Sequence, residues 1–236
     1  MVDPISVSEA AHALKLSPAR VRAMASGGQL SASKIADRWL VERGAVEQRK
    51  RRGAHGGRRF APRNAWALLM LASDEEVGGI DPSVRSRMKR ALALEGLKAL
   101  APRLARRAQV SLYRAHPGEI RHLINDPELM RSGISAAGSH DFGLVSGREA
   151  DGYLPEAELK RFIKEHALSP ASSDGNVRLR VVPDEAWAIL GGRSVAPEAV
   201  VALDLMEESD PRSARAGAEI LRKLDRRYRS RRRARS

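Results

Sequence analysis

Apolar residues recur along this chain in blocks whose period changes from segment to segment. Near the start, Ala10, Ala11 and Leu14 make one helical face, and Val21, Met24 and Ala25 make a second. Ser8 is placed to cap the first helix. Leu16-Ser17-Pro18 interrupts the pattern, with Ser17 at the N-cap and Pro18 at the first helical position of the next helix. Gly27-Gly28 ends that helix. Alternation then takes over. Leu30 and Ala32 lead into Lys34-Ile35, Ala36-Asp37 forms a turn, and Arg38-Trp39-Leu40-Val41 returns as a strand with Trp39 packed beneath the hairpin.

Two short helices joined by a tight turn and followed by a small hairpin describe a winged helix-turn-helix, whose second helix ordinarily enters the major groove. On that reading Ser17, Arg20 and Arg22 lie at the start of the recognition helix. Lys34 and Arg38 flank the hairpin turn and reach phosphates.

The pattern beyond Pro62 is helical to about Leu112. Asn64–Leu71 forms one apolar helix, and Asp81-Pro82 caps a second that carries Val84, Met88, Ala91 and Leu92, with Leu97, Leu100, Leu104 and Ala108 extending it. Arg85, Arg87, Arg90, Arg103, Arg106 and Arg107 are read as solvated faces. Helix and strand then alternate. Pro117 opens a helix through Ile124, Asp126-Pro127 caps another, and residues 131–138 are turn-rich. Pro155 starts a helix with Leu159, Phe162, Ile163 and His166 on one side. Val177, Leu179 and Val181 against Arg178 and Arg180 argue a half-buried strand. Residues 199–205 read as a buried strand or a short helix, and Asp210-Pro211 caps a last helix marked by Ala214, Ala218, Leu221, Leu224 and Tyr228.

The expected fold is therefore α+β and mostly helical. Residues 1–48 form a winged helix-turn-helix, 49–61 a basic Gly/Arg linker, 62–225 a larger mixed domain with few strands, and 226–236 an Arg-rich tail that frays.

The formal charge is +13, and it is unevenly spread. Residues 49–59 hold six Lys/Arg and no acid, and residues 226–236 hold seven Arg and no acid, so the other 214 residues are formally neutral. A neutral body with two basic segments suggests attachment to a polyanion at defined places. The glycines among Arg49, Lys50, Arg51 and Arg52 and their neighbours deny that stretch a stable helix and leave it a flexible, phosphate-contacting tether. Cysteine is absent, which excludes a disulfide framework and a thiol nucleophile. No apolar run approaches the ~20 residues of a membrane span, and the first residues lack a secretory pattern, so a cytoplasmic protein without membrane partners is expected.

Two stretches resemble known families. The string VSEAAHALKLSPARVRAMASGGQLSASKIADRWLVERGAVE resembles the excisionase/MerR-type winged helix-turn-helix of bacterial regulators. The runs NAWALLML, SGISAAGSHDFGL, DGYLP, GNVRLRVVP and VAPEAVVALDLMEESDPRSARAGAEIL, spanning roughly residues 64–224, resemble the AbiE-type antitoxins of toxin–antitoxin systems. That resemblance implies an autorepressor that binds operator DNA through its first domain and counters a nucleotidyltransferase toxin through its second. It singles out no toxin-contacting residue.

An enzyme is the weaker reading, and no cofactor or metal is expected. The chain has no P-loop, GxSxG elbow, HExxH or dinucleotide fingerprint. His116 and His122 lack the spacing of ligands on one helical face, His140-Asp141 reads as a polar loop pair, and Asp204 as a cap or ion-pair residue. Two alternatives stay open beside the antitoxin: a DNA-binding regulator or excisionase-like factor without a toxin, and, less favoured, a DNA nuclease. Homodimerisation is also left open.

Overall fold

The computed structural model describes residues 4–14, 16–26, 30–35, 38–46, 59–144, 148–171, 175–190 and 192–234. The chain is a mostly helical α+β protein whose contacts divide into two units, Met1–Gly57 and Arg58–Ser236. Of the sequence-based expectations, the Gly27-Gly28 and Ala36-Asp37 turns and most of the basic stretch 49–59 lie outside the described residues.

In the first unit, strand β1 (Pro4–Ser6) leads directly into helix α1 (Val7–Leu14), and α2 (Pro18–Ser26) precedes the hairpin strands β2 (Ala32–Ile35) and β3 (Arg38–Glu42). The antiparallel sheet has the order β1-β3-β2, with Ile5 opposite Val41 and Lys34 opposite Trp39. The first helix is capped by Ser6, not Ser8. Ser6 Oγ accepts the Glu9 N–H (3.1 Å) and the Glu9 carboxylate accepts the Ser6 N–H (2.8 Å), a reciprocal box that Ser8 cannot form because no Glu stands three residues after it. Ile5, Ala10, Leu14, Val21, Met24, Leu30, Val41 and Val46 close a small core.

Trp39 is not part of that core. It is only half-buried and stands outside the cluster, although pleating puts it on the same side of β3 as the fully buried Val41. The apolar cluster ends at Val41, two residues further from the hairpin turn.

The second unit begins with α3 (Pro62–Ala72), α4 (Pro82–Leu94) and α5 (Leu97–Leu100). Asp81 caps α4 by accepting the Ser83 and Val84 N–H groups. The helical pattern then stops earlier than its leucines suggest. Two 3₁₀ turns end at Arg107, Ala108 is extended, and residues Gln109–Arg114 form strand β4. After α6 (Ile120–Asn125), Asp126 accepts the Glu128 N–H and makes a turn into β5 (Met130–Arg131) rather than capping a helix. The small-residue run beyond it is helical, as α7 (Gly133–Ala136).

Strand β6 (Ala150–Pro155), helix α8 (Leu159–Glu165), β7 (Ser169–Ala171), β8 (Val177–Val182) and α9 (Asp184–Trp187) follow, and the chain ends in helices α10 (Glu198–Met206) and α11 (Pro211–Ala234). The sheet order is β5-β6-β8-β4-β7, with β6 and β8 parallel and the other pairs antiparallel. Residues 199–205 are thus helical. Residues 226–234 continue α11 as an ordered helix.

The sheet has a core on each side. Ala150, Leu154, Val177 and Leu179 pack with Ile120, Leu123 and Phe162 under α6 and α8. Tyr153 and Val182 face the larger cluster built by Trp66, Leu69, Met88, Val200, Leu203 and Leu221. The strand β8 is therefore covered on both faces, and Arg180, read as a solvent-facing residue, is buried.

Helices α10 and α11 meet at Gly217. A Cβ there would lie 2.4 Å from the Met206 nitrogen and 2.5 Å from the Ala202 oxygen, so the two backbones touch where the side chain is missing. Helix propensity alone makes Gly to Ala favourable by about 1 kcal/mol. Overpacking a close backbone contact costs about 1–3 kcal/mol, and its sign wins here. Gly217→Ala is expected to lower stability in denaturant unfolding; a stabilised variant would show that α10 and α11 stand farther apart.

Candidate nucleic-acid interface and a buried charge network

Helix α2 begins as its sequence dictates. Ser17 Oγ accepts the Arg20 N–H at 3.3 Å, and the Ser17 carbonyl accepts the Val21 N–H at 3.1 Å, so the serine hydroxyl serves the cap while the residue itself stays exposed. Val21, Met24 and Ala25 turn inward. At about 100° per residue, the opposite face consists of Ala19, Ala23 and Ser26, with Arg20 on one flank and Arg22 on the other, all exposed. A smooth central strip lets a helix approach a groove closely, and the two guanidinium groups can reach to either side of it.

On the hairpin, Lys34 and Arg38 are exposed and occupy consecutive rungs of the ladder, Lys34 opposite Trp39 and Arg38 opposite Ile35. Trp39 thus shares its face of the ladder with Lys34, whereas Arg38 projects from the other face. Arg49, Lys50, Arg51 and Arg52 lie outside the described residues.

The larger unit holds its most unusual chemistry inside. Arg107, expected on a solvated face, is buried between β6 and α10. Its Nε donates to Tyr153 Oη (3.0 Å), and its other nitrogens reach Asp204 (2.6 Å) and Glu207 (2.5 Å). Tyr153 in turn donates to Asp204 Oδ1 at 2.9 Å, and Ser132 Oγ donates to Asp204 Oδ2. Arg180 makes a two-pronged contact with Asp151 (2.8 and 3.0 Å) and lies 3.1 Å from Asp204. Arg178 joins Asp151 to Glu208 at the edge. Trp66 closes the cluster, donating its indole N–H to the Arg107 carbonyl (3.0 Å) and meeting Tyr153 edge-on at 4.8 Å.

Electrostatics keep this cluster charged. Burial by itself would raise the Asp204 pKa, yet Arg180 and Arg107 hold it below its ordinary 3.8. Burial opposes the Arg107 charge as well, but Tyr153, Glu207 and Asp204 more than offset it. Burial pushes the Tyr153 phenol up, so it remains a hydrogen-bond donor. Asp204 has no exposed surface and each of its oxygens is bonded, which makes it an ion-pair residue within the core instead of an accessible acid or base.

A second polar cluster lies across the sheet. His166, read as part of a helix face, sits with Nδ1 2.8 Å from Glu119 and Nε2 3.0 Å from Asp126, its ring against Phe162 at 4.4 Å. It ties α8 to the ends of the 117–126 segment. The other candidate histidines each have a partner of their own, His122 Nδ1 lying 3.5 Å from Glu119. His116 Nδ1 accepts the Gly118 N–H, and the His140 ring approaches the Ala196 carbonyl. Among the described residues no group of three or more His, Asp or Glu side chains is placed to hold a metal.

The Arg107–Asp204 set could be seen in the sequence only as separate charged residues, because its members are 97 residues apart. Removing one partner leaves the others buried and uncompensated, which costs about 3–5 kcal/mol. Asp204→Asn is expected to lower stability by that order. Because the folded pKa of Asp204 is depressed, its contribution is complete above pH ~4 and disappears as the pH falls through the lower folded value. Unfolding measured against pH should therefore show an acid-side loss that is smaller in the variant, and parallel curves would remove Asp204 from that role.

No family model, curated protein sequence or solved structure matches this chain.

Proposed function

We propose that this protein is a double-stranded-DNA-binding antitoxin: its first unit is a winged helix-turn-helix that binds its own operator and represses transcription in the cytoplasm, and its larger unit neutralises a nucleotidyltransferase toxin. The observation that carries the DNA-binding half is the exposed face of α2. It is capped by Ser17, smooth along Ala19, Ala23 and Ser26, flanked by Arg20 and Arg22, and accompanied by a hairpin that exposes Lys34 and Arg38. Arginine at the start of a recognition helix reads base edges, and cations on a wing contact backbone phosphates. On this reading Arg49, Lys50, Arg51 and Arg52, which follow in sequence, add further phosphate contacts.

The toxin-binding half rests on the resemblance of residues 64–224 to AbiE-type antitoxins.

Binding to DNA from upstream of the gene and to random duplex, measured across a salt series, tests the first half. Arg20→Ala and Arg22→Ala should each remove about 1–3 kcal/mol of preference for the operator. Lys34→Ala and Arg38→Ala should weaken both DNAs alike and reduce the salt slope by about 1 each. The reverse pattern would move the recognition surface off α2. Co-expression with an adjacent nucleotidyltransferase gene tests the second half: growth should be restored, and persistent arrest beside soluble protein would leave a DNA-binding regulator without a toxin.

A further inference from the structure

Helix α11 carries ten Lys/Arg and two acids over 24 residues, and its faces differ sharply. Ser213, Gly217, Ile220, Leu221 and Leu224 are buried against the rest of the unit. At about 100° per residue, Arg215, Arg222, Arg226 and Arg233 fall on the opposite side, spaced 7, 4 and 7 residues apart. They form one straight exposed stripe of about 27 Å at 1.5 Å per residue.

Several neighbouring cations are already engaged. Arg227 pairs with Glu198 at 2.6 Å and Arg231 with Asp74, while Arg229 donates to the Ala93 carbonyl at the end of α4. The stripe is different. Arg222 donates to the Ala218 carbonyl of its own helix (3.3 Å) and lies 3.9 Å from Glu219, and among the described residues Arg215, Arg226 and Arg233 make no ion pair. Where Arg229 and Arg232 reach the Ala93 and Lys89 carbonyls of α4, that helix adds Lys89 and Arg90 and no acid of its own.

Like charges one turn apart destabilise a helix by about 0.2–0.5 kcal/mol per pair. A bare row of arginines is thus a standing cost that a polyanion would remove. Its chemistry also selects the partner. Protein interfaces are anchored by aromatic and apolar side chains with charge depleted at the centre, and the two large apolar side chains exposed among the described residues, Leu94 and Val110, are both off α11. Single-stranded nucleic acid is held by stacking on aromatic rings, and the stripe has none. We propose that the exposed stripe of α11 is a second, sequence-independent binding surface for the phosphate backbone of duplex DNA, carried by the larger unit and independent of α2.

The test uses the full chain with Arg215, Arg222, Arg226 and Arg233 all changed to Gln, and separately all to Lys, binding random duplex DNA across a salt series. Thermal unfolding checks that both remain folded, as expected for exposed side chains opposite the buried face. If the four cations meet phosphates, the slope of log K against log salt should shrink by about 3–4, at ~0.9 per phosphate. Affinity at moderate salt should fall at least tenfold in the Gln protein and be retained in the Lys protein.

Unchanged affinity and slope in a folded Gln protein would overturn the proposal. So would intact DNA binding with lost binding to polyglutamate, which would assign the stripe to an acidic protein surface, or a loss confined to single strands. Arg20→Ala/Arg22→Ala, run alongside, reports on operator preference. Failure of the recognition-helix reading therefore appears in that variant and leaves the random-duplex result of the stripe variant intact.

Discussion

Two guanidinium groups sealed between a sheet and a helix set the arrangement of the larger unit. Arg107 and Arg180 face Asp204 from different elements, and Asp151, Tyr153, Ser132 and Glu207 satisfy what remains. Such a set adds little net stability compared with well-packed apolar side chains, because each ion loses its hydration. Its effect is on specificity. Side chains alternate along β6 and β8, so a slip of one residue would bury Leu179 where Arg180 belongs, leaving Asp151 without its two-pronged partner and Asp204 with Arg107 as its remaining guanidinium. Because Asp204 is fully buried, a shift in the register of β8 or a rotation of α10 would break these pairs without giving the carboxylate access to water.

That constraint accounts for the dense packing around it. Trp66 spans from α3 to the Arg107 carbonyl and Tyr153, bringing the first helix of the unit onto the network. Gly217 lets α11 rest directly on the backbone of α10, so the helix that carries the acids is pinned from behind. Gly133 adopts a positive φ of 48° where a Cβ would lie 2.3 Å from the Asp151 carboxylate. Close approach around the ion pairs is obtained by leaving side chains out.

Charge is used in two opposite ways in this protein. Inside the larger unit, arginines are matched to carboxylates within about one hydrogen-bond length and are unavailable to any partner. On the surface, the Arg20/Arg22 flanks of α2 and the outer stripe of α11 are displayed on regular helices whose other faces are anchored in apolar cores. Arginine count by itself does not separate the two uses. Burial and the acids brought in by the fold do.

Local chemistry was legible in the residues. Ser17-Pro18, Asp81-Pro82 and Asp210-Pro211 start helices because a side-chain oxygen three or fewer residues away meets a free N–H, and that needs no tertiary contact. The continuous apolar run of α3, the 3.6-residue apolar period of α11 and the alternation of β8 were likewise readable, as was the mostly helical α+β class. Tertiary structure decided the rest. It left Trp39 outside the core that Val41 enters, ended the helical pattern at Ala108, and made a helix of residues 199–205. It also buried Arg107 and Arg180, which read as solvated residues. The physical reason is common to these cases: an alternating or charged pattern states which residues differ from their neighbours, whereas whether a polar face meets water or the carboxylates of a distant helix depends on what the chain folds against it.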